Sequence, residues 1–546
     1  MEIVAALFAD FVDTFLGIPS QLRARLGSRT VIEHALERLT RISGVDRRCL
    51  VVQPRDETVA RDVVGRLNLQ SSIDILPLDD GRRMLRGLLR CGRVWNLDCW
   101  RGSPMTTWYD EYVETLNVAR VLNHYHCEAV LCLDGHQAAF DPALASGMID
   151  YLRENEDKAG FVFSQAPPGL SGMILRREIT REYVQHRYPV GLLMSYRPEL
   201  PRIDPITKEP CYRLPSDIVQ TPGRFIPDTR AGRELLAAAF EELGENCDAR
   251  QLCAWARDKI VGKPGPLPLE VELEITTRDP LPDTLLRPRG ARVPRRELRD
   301  LNAIDKLAAE LGEYDDRLLV LGGFGDPLLH PQFPEICRRL RAAPIRGIGV
   351  VSPLVELTDA NLQAMLEYGI DLLEVSIDAN TAATYRAVHL SDVFENVIRN
   401  VGSILDMRRE RGIPQPLVVC SLTRCAATLA ELEAFFEQWS KVVGWALIRG
   451  YNEFCGMLPP DAVQSMRPLL RAPCRRLNRR MMLLADGNAV LCSQDAHGRT
   501  KYGSWIEQGI GALWRGNALQ TDRDAHRRMD LSRFDLCARC GEWHRP

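Results

Sequence analysis

The chain has 546 residues, more than one ordinary hydrophobic core serves, so we expect two to four domains. Hydrophobic residues make up 45% of the chain and charged residues 26%, and the formal net charge of −3 argues against a nucleic-acid binder. No apolar run is long enough to span a bilayer, and the apolar N-terminus carries early acidic residues rather than basic ones, so we expect a cytoplasmic protein without a membrane partner.

Residues 1–195 alternate predicted helices and strands. Arg29–Ile42 has the apolar spacing of a helix, and Arg47–Pro54 and Glu128–Gly135 have the composition of buried strands. Such alternation favours a parallel α/β sheet. Residues 196–268 are rich in proline and predict a largely irregular connector with one helical patch.

The first domain contains "GIPSQLRARLGSRTVIEHALERLTRI" and "GHQAAFDPAL", and these stretches resemble the sugar-nucleotide cytidylyltransferases and related nucleotidyltransferases. In that family a basic loop ending in PGK holds the triphosphate, and an aspartate in a GDxP motif binds the metal. Here Gln21 stands in the place of the lysine and His136 in that of the aspartate. The resemblance implies the fold and a nucleotide-type ligand with altered contacts, for which Arg101 and Asp134 are further candidates.

Residues 269–455 show the clearest rhythm, with six strand candidates between helices: "EVELEIT", "RLLVLGGFG", "GIGVVS", "LLEVSID", "PLVVCSLT" and "WALIRGY". Six βα units predict a partial (β/α)6 barrel, whose working groups lie on the loops after the strands. We therefore expect Thr277–Arg299, Gly322–Pro327 and Ser376–Asn380 at its mouth.

Two of these loops carry candidate binding residues. Glycines allow a ligand to approach the backbone closely, and a carboxylate can receive an amine or a hydroxyl group. The alternative is that the glycines form turns and the polar residues cap helices. The candidates are Gly323, Gly325, Asp326, Pro327, Ser376 and Asp378.

Residues 456–546 contain too little aliphatic sequence for a large core, and four of their cysteines form a candidate metal site: Cys474, Cys492, Cys537 and Cys540. The last two form a C-x-x-C pair, which can present two thiolates to one metal centre from a tight turn. Four thiolates suit a [4Fe–4S] cluster or tetrahedral zinc, and spacing alone does not choose between them. The alternative is four unrelated buried cysteines.

The C-x17-C pair, its DG turn, "SQDAHG", "KYGSW" and the terminal C-x-x-C resemble a SPASM domain, the auxiliary iron–sulfur module of many radical SAM enzymes. The "GFGDP" loop and the "SID" strand end resemble the radical SAM core, and the layout is similar to that of the spiro-SPASM family. The resemblance implies one auxiliary [4Fe–4S] cluster on the four cysteines, and S-adenosylmethionine bound by the two barrel loops. The fold class is thus α/β: a nucleotidyltransferase-like parallel sheet, a radical-SAM-like partial barrel and a small SPASM domain.

The chain departs from this family at the loop after the first barrel strand. There the family has C-x-x-x-C-x-x-C, whose thiolates hold the cluster that reduces S-adenosylmethionine. Asp279, Asp283 and Leu286 stand at those three positions, and no cysteine lies between Cys253 and Cys337. Without that cluster, reductive cleavage of S-adenosylmethionine has no electron donor in place.

Three functions remain open. One is a pseudoenzyme that binds a small molecule, a peptide or a nucleotide sugar and carries one auxiliary cluster. Another is active radical SAM modification of a peptide or a sugar-linked substrate. The last is nucleotidyl transfer with altered ligands.

The same loop carries six arginines: Arg287, Arg289, Arg292, Arg295, Arg296 and Arg299. A charge run is usually a solvated surface. At a barrel mouth it can instead form a patch that recognises phosphate or carboxylate groups.

Overall fold

The computed structural model describes residues 1–14, 19–79, 107–194, 208–260, 263–444, 446–464 and 467–545. They divide into two compact units, one ending at Ile260 and the other beginning at Lys263. Among the helices within these ranges, none combines the length and the apolar character needed to cross a bilayer.

The first unit is built on a mixed sheet with helices around it. Its strands are β1 Ile3–Ala9, β2 Arg25–Leu26, β3 Arg29–Thr30, β4 Arg47–Val52, β5 Asp74–Pro77, β6 Ala129–Asp134, β7 Phe161–Ser164, β8 Met173–Arg176 and β9 Cys211–Tyr212. Its α-helices are α1 Val31–Thr40, α2 Glu57–Arg66, α3 Thr115–Tyr125, α4 Pro142–Glu154, α5 Arg177–His186, α6 Ser216–Val219, α7 Arg230–Leu243 and α8 Ala249–Lys259.

The seven-stranded sheet of this unit has the order β5-β4-β1-β6-β8-β7-β9. Its centre is parallel: Leu7 of β1 lies opposite Leu50 of β4 and Leu133 of β6. All three side chains are buried in one apolar core, as the continuous apolar composition of parallel strands requires. The expected parallel α/β sheet is confirmed for this centre, while β8 joins it antiparallel.

Helices α7 and α8 bury Phe240, Leu252 and Trp255 in the core of the first unit. They lie within residues 196–268, the stretch expected to be an irregular connector. This stretch thus contributes two long helices to the first unit, because apolar residues at helical spacing pack against the sheet despite the surrounding prolines.

The second unit contains the strands and helices of the predicted barrel and of the C-terminal region. Its strands are β10 Glu270–Glu274, β11 Leu318–Gly322, β12 Gly347–Ser352, β13 Leu372–Ser376, β14 Leu417–Arg424, β15 Ala446–Gly450, β16 Arg480–Leu483, β17 Asn488–Val490 and β18 Lys501–Ser504. Its α-helices are α9 Asn302–Gly312, α10 Phe333–Arg341, α11 Asp359–Glu367, α12 Ala382–His389, α13 Phe394–Arg411, α14 Leu432–Val443, α15 Trp505–Gln508, α16 Ile510–Arg515, α17 Asn517–Arg527 and α18 Asp535–Arg539.

All six predicted barrel strands are present and parallel, in the order β15-β14-β13-β12-β11-β10. A helix follows each of the first five. The C-terminal region extends the same sheet, because β16 pairs parallel with β10 and continues into the antiparallel strands β17 and β18. The predicted α/β fold class is confirmed.

The strands alternate between two environments. Val271 and Leu273 of β10 pack into the core under the helices, whereas Glu272 and Glu274 point to the opposite face. Parallel strands also place their carboxyl ends at one edge of the sheet. The loops after β10, β11 and β13 therefore meet at that edge, where the sequence places its candidate residues.

Candidate functional site

The loop after β10 folds back on its own start. The Thr277 amide donates to the Arg296 carbonyl at 3.0 Å, and the Arg296 amide donates to Thr277 Oγ1 at 2.8 Å. An isolated antiparallel bridge joins Thr276 to Glu297. The two ends of the loop are thus fixed side by side, and the residues between them are held over the mouth.

Arg296 forms a two-pronged ion pair with Glu274, from Nε to Oε1 at 2.6 Å and from Nη2 to Oε2 at 2.9 Å. The Glu274 side chain is fully buried and that of Arg296 is 4% exposed. Glu274 also accepts hydrogen bonds from the amides of Phe324 and Ala485, and Arg296 Nη1 donates to the Ala496 carbonyl. Because nearly every donor and acceptor of the two side chains has a hydrogen-bond partner, the cost of burying this ion pair is offset. The pair also connects the loop after β10 to the glycine loop and to the C-terminal region.

Two further arginines of the loop form inward ion pairs. Arg289 Nε lies 2.8 Å from Asp279 Oδ2, and the Asp279 side chain is 4% exposed. Arg287 Nη2 pairs with the fully buried Asp378 on the loop after β13. Arg287, Arg289 and Arg296 thus each form an ion pair with a carboxylate of the same unit. Arg295 and Arg299 are exposed. The arginine run therefore does not form one charged surface.

The three residues at the cluster-ligand positions face three different environments. Asp279 lies in the buried ion pair, and Asp283 is exposed to solvent. Leu286 is 3% exposed and belongs to an apolar cluster with Val388, Cys425, Tyr451 and Leu458. The three side chains therefore do not converge on a common site.

The glycine loop Gly323–Pro327 is packed against the β10 loop. A Cβ at Gly325 would lie 2.4 Å from the Thr276 carbonyl oxygen, and one at Gly323, whose φ is 88°, would lie 2.8 Å from Glu274 Cβ. These glycines are needed for the close approach of two stretches of this chain.

Asp326 is fully buried in the same loop. Its amide donates to the Arg278 carbonyl at 2.8 Å, and its Oδ1 accepts from the Leu328 amide at 3.1 Å, which caps a short 3-10 turn begun by Pro327. Burial, and to a smaller degree the charge of Asp279, raises the pKa of Asp326 to about 7.

Asp378 and the buried Ser376 lie at the end of β13. Asp378 adopts the left-handed conformation with φ 59°, and its Oδ1 accepts from the Thr423 amide at 2.7 Å. Burial is the largest single influence and opposes ionisation, but Arg287, His389 and Thr423 together outweigh it and hold the pKa of Asp378 below its usual value. His389 lies 3.8 Å from Asp378, and burial lowers the pKa of this histidine to about 4, so it is neutral.

The structure thus brings the six candidate barrel residues to one edge of the sheet. Each contacts its own chain there, through packing, capping or an ion pair.

The four C-terminal cysteines line one pocket. Cys474 precedes a short 3-10 turn, Cys492 follows β17, Cys537 lies in α18, and Cys540 ends that helix. Cys455, which the sequence did not single out, lines the same pocket. The basic side chains Arg471 and Arg476 also line it, and they would offset the negative charge of a thiolate cluster.

Backbone amides are aimed at two of the sulfurs. The Gln494 amide donates to Cys492 Sγ at 3.5 Å, and the Glu542 amide donates to Cys540 Sγ at 3.3 Å. Hydrogen bonds of this kind stabilise thiolates and tune the potential of iron–sulfur clusters. The donor set therefore fits an iron–sulfur cluster.

Without a metal, burial determines the protonation of these thiols. Burial raises the pKa of Cys474, of Cys492 and of Cys537, the last to about 12. Contact with the Cys455 thiol lowers the pKa of Cys540 to about 7 and raises that of Cys455. A bound metal would displace the protons of all its ligands, because only the thiolate coordinates.

Within the described ranges, no three histidine, cysteine or acidic side chains are placed to hold a single metal ion. The cysteines line one pocket without forming such a group. A four-iron cluster takes one thiolate on each iron, so its ligands enclose a larger volume than those of one zinc ion.

In the first unit, His136 is 2% exposed and both ring nitrogens have partners. Its Nδ1 lies 3.3 Å from Asp134 Oδ1, and its Nε2 accepts from the Gln21 amide at 3.2 Å and lies 3.3 Å from Ser20 Oγ. The stretch that contains Ser20 and Gln21 is thus attached to His136. Arg101, the other candidate contact, lies outside the described residues.

Two family models match the second unit. The model described as the radical SAM superfamily matches residues 283–421, and the model described as an iron–sulfur cluster-binding domain, SPASM, matches residues 474–541. The chain therefore contains a radical SAM superfamily domain followed by a SPASM domain. These domains imply S-adenosylmethionine binding and iron–sulfur clusters as the chemistry of their families.

Among known proteins, an uncharacterized protein of Treponema pallidum is 28% identical over 296 residues, which is 51% of this chain and 79% of the relative. A structure of SuiB from Streptococcus suis, bound to the precursor peptide SuiA, is similar over 53% of this chain and 80% of its own, with 8% identity and a TM-score of 0.41. A cytidylyltransferase from Leptospira borgpetersenii is similar over 47% of this chain and 95% of its own, with 12% identity and a TM-score of 0.33.

Proposed function

We propose that this chain is a binding protein built on a radical SAM fold, whose barrel no longer cleaves S-adenosylmethionine and whose C-terminal domain carries one auxiliary [4Fe–4S] cluster. The observation that carries the proposal is the surroundings of Asp279, Asp283 and Leu286, the residues at the three cluster-ligand positions. One is in a buried ion pair, one is in solvent and one is in an apolar cluster.

The charge balance at the mouth supports this. A radical SAM core needs three thiolates beside an iron with an open coordination position. Here the corresponding loop instead brings in the guanidinium groups of Arg287 and Arg289, and Asp378 and Asp279 neutralise them. A loop held by these pairs offers iron no thiolate at the three ligand positions, and cutting either pair would leave a buried charge.

The auxiliary cluster would be held by Cys474, Cys492, Cys537 and Cys540. When bound, it supplies one-electron chemistry and a cross-link for a domain with a small core. The amide hydrogen bonds to Cys492 and Cys540 would stabilise their thiolates. The described cysteines are all free thiols, which supports a reducing compartment and hence the cytoplasm.

The inner face of the sheet offers a place for the ligand. Glu374 of β13 is 1% exposed and pairs with Arg449 of β15, whose side chain is 41% exposed. Glu374 Oε1 and Arg449 Nε are buried without a hydrogen-bond partner among the described residues. An acceptor and a donor left over in this way suit a ligand with both hydroxyl and carbonyl groups, such as a sugar-linked small molecule or a peptide.

The test is an anaerobic preparation assayed for iron, sulfide, zinc and 5′-deoxyadenosine after incubation with dithionite and S-adenosylmethionine. We expect about four iron atoms per chain, reduction of the cluster seen by electron paramagnetic resonance, and no 5′-deoxyadenosine above the protein-free control. Formation of 5′-deoxyadenosine would show an active core, and zinc in place of iron would refute the cluster. Release of pyrophosphate from CTP would favour nucleotidyl transfer by the first unit.

A further inference from the structure

A second pocket of the C-terminal region lies between residues 264–266 and the helices α16 and α17. Its volume is about 340 Å³, which falls within the range of small-molecule sites, about 300–1,000 Å³. The helices line it with Trp514, Arg515, Gln520 and Arg523. Among the described residues, none lines both this pocket and the cysteine pocket. The proposed cluster and the proposed barrel ligand therefore do not account for it.

The walls of this pocket are fastened to each other. Trp514 Nε1 donates to the Gly265 carbonyl at 2.8 Å, and Arg515 Nη1 donates to the Pro266 carbonyl at 3.2 Å. Pro264 and Pro266 further restrict the backbone opposite the helices. The pocket is thus held open by the chain itself, and a ligand would not have to order its walls.

Arg523 is the most buried polar side chain of the pocket, with 3% of its surface exposed. Its guanidinium carbon lies 4.0 Å from the centre of the Trp514 ring. Its Nε donates to the Leu477 carbonyl at 2.9 Å, and its Nη1 donates to the Trp514 carbonyl at 2.8 Å. Its Nη2 is buried without a hydrogen-bond partner among the described residues. These contacts orient the guanidinium but bring no negative charge to it.

The charge of Arg523 is therefore poorly compensated. Burial lowers the pKa of this guanidinium to about 10, and Tyr502 opposes the shift, so the side chain is still a cation at neutral pH. Among the described residues, no carboxylate forms an ion pair with it. A buried cation without a counter-charge is costly. An anion in the pocket would offset this cost.

Two neighbouring side chains suit the same ligand. Arg515 is exposed, and its bond to the Pro266 carbonyl places a second guanidinium at the pocket. Gln520 is half-buried, and its Nε2 donates to Asp524 Oδ1 at 3.2 Å, which orients the side-chain amide. The amide oxygen of Gln520 can accept a hydrogen bond from a hydroxyl group of a ligand.

We propose that this pocket binds the phosphate monoester of a small molecule, with Arg515 and Arg523 as the residues that recognise the phosphate. A phosphate monoester carries about 1.5–2 negative charges at pH 7 and balances two guanidinium groups, whereas a carboxylate carries only one. Guanidinium groups also match the oxygen geometry of phosphate. The pocket is larger than a phosphate group requires, so it accommodates an attached sugar-sized group beside Gln520.

The test is isothermal titration calorimetry on the full chain, purified anaerobically, with ribose 5-phosphate, inorganic phosphate, ribose and acetate as probes. We expect one site that binds ribose 5-phosphate more tightly than inorganic phosphate, and no measurable binding of ribose or acetate. Arg515→Gln should weaken the binding of ribose 5-phosphate about tenfold or more, because it removes a charge-assisted contact. Arg528→Gln, which changes an exposed arginine directly after α17 and outside the pocket, is the matched control and should leave the Kd unchanged.

Three results would overturn the proposal. The first is that neither phosphate probe binds to the wild type. The second is that acetate binds as tightly as inorganic phosphate, which would make the pocket a carboxylate site. The third is an unchanged Kd in Arg515→Gln, which would place the phosphate site elsewhere in the chain.

Arg523→Gln should weaken the binding of ribose 5-phosphate more than Arg515→Gln does, because the buried charge is less screened by solvent. Its folding is monitored by far-ultraviolet circular dichroism. If it does not fold, Arg515→Glu is compared with Arg528→Glu. Loss of phosphate binding in Arg515→Glu alone supports the proposal, and equal binding in these two variants contradicts it.

Discussion

Arg287 and Asp378 form a buried ion pair between the loops that follow β10 and β13. The Asp378 side chain is fully buried, and the Arg287 side chain is 18% exposed. In the family that this barrel resembles, the first of these loops carries the thiolates and the second lies beside the bound S-adenosylmethionine. The two loops are here joined directly to each other by a salt bridge.

We expect Arg287→Met to destabilise the protein by about 3 kcal/mol, because it leaves a buried carboxylate without its cation. The free energy of unfolding is measured by urea titration. Arg287→Met/Asp378→Asn should recover most of the loss, since asparagine keeps the acceptor for the Thr423 amide and tolerates the left-handed conformation at this position.

The exposed Arg295→Met is the matched control, and it should change the free energy of unfolding by less than about 0.5 kcal/mol. If the double variant is as unstable as Arg287→Met alone, the loss of stability comes from packing, and the ion pair between Arg287 and Asp378 does not account for it.

Cysteines placed at the three cluster-ligand positions should not restore a core cluster. In Asp279→Cys/Asp283→Cys/Leu286→Cys the iron content should stay at the wild-type level, because these side chains face an ion pair, solvent and an apolar cluster. The corresponding triple serine variant controls for the loss of the native side chains. Extra iron in the cysteine variant together with 5′-deoxyadenosine formation would show that the loop can still form the cradle.

The barrel strands could be predicted from the sequence because buried strands and helices alternate regularly along residues 269–455. The six barrel strands are short buried runs between helical segments, and this pattern is local, so their number and order follow from it. The four cysteines that line one pocket were also singled out from the sequence, by the terminal C-x-x-C pair and the resemblance to a SPASM domain.

The ion pairs of the mouth were not predictable in this way. Arg287 and Asp378 are 91 residues apart, and a run of arginines has the same composition on a surface and in a buried network. Cys455 was not among the candidate ligands either, although "YNEFCG" falls within the stretch that resembles a SPASM domain, because its place in the pocket depends on a left-handed turn.

The pKa of Asp326 predicts a pH-dependent stability. With a pKa of about 7 in the folded protein and about 4 in the unfolded chain, this carboxyl binds more proton when folded between those values. Its contribution therefore favours folding below pH 4 and is lost as the pH rises from about 4 to 7, by up to a few kcal/mol. Asp279 and Arg289 are the charged groups that act on it.

Asp326→Asn keeps the acceptor for the Leu328 amide and removes the titration. In urea titrations the variant should be more stable than the wild type at pH 8, and this advantage should be much smaller at pH 5. A difference of equal size at both pH values would contradict the raised pKa.

Trp543 lines the cysteine pocket, and its side chain should report whether the cluster is present. An iron–sulfur cluster absorbs broadly in the near-ultraviolet and visible range and quenches the emission of a neighbouring indole. Oxidation of the cluster in the presence of a chelator, which removes the iron, should therefore increase the tryptophan fluorescence of the wild type. Trp543→Phe should lose most of this increase, whereas Trp439→Phe, which removes a buried indole of α14 outside the pocket, should keep it. An increase that is unchanged in Trp543→Phe would place the quenching cluster elsewhere in the chain.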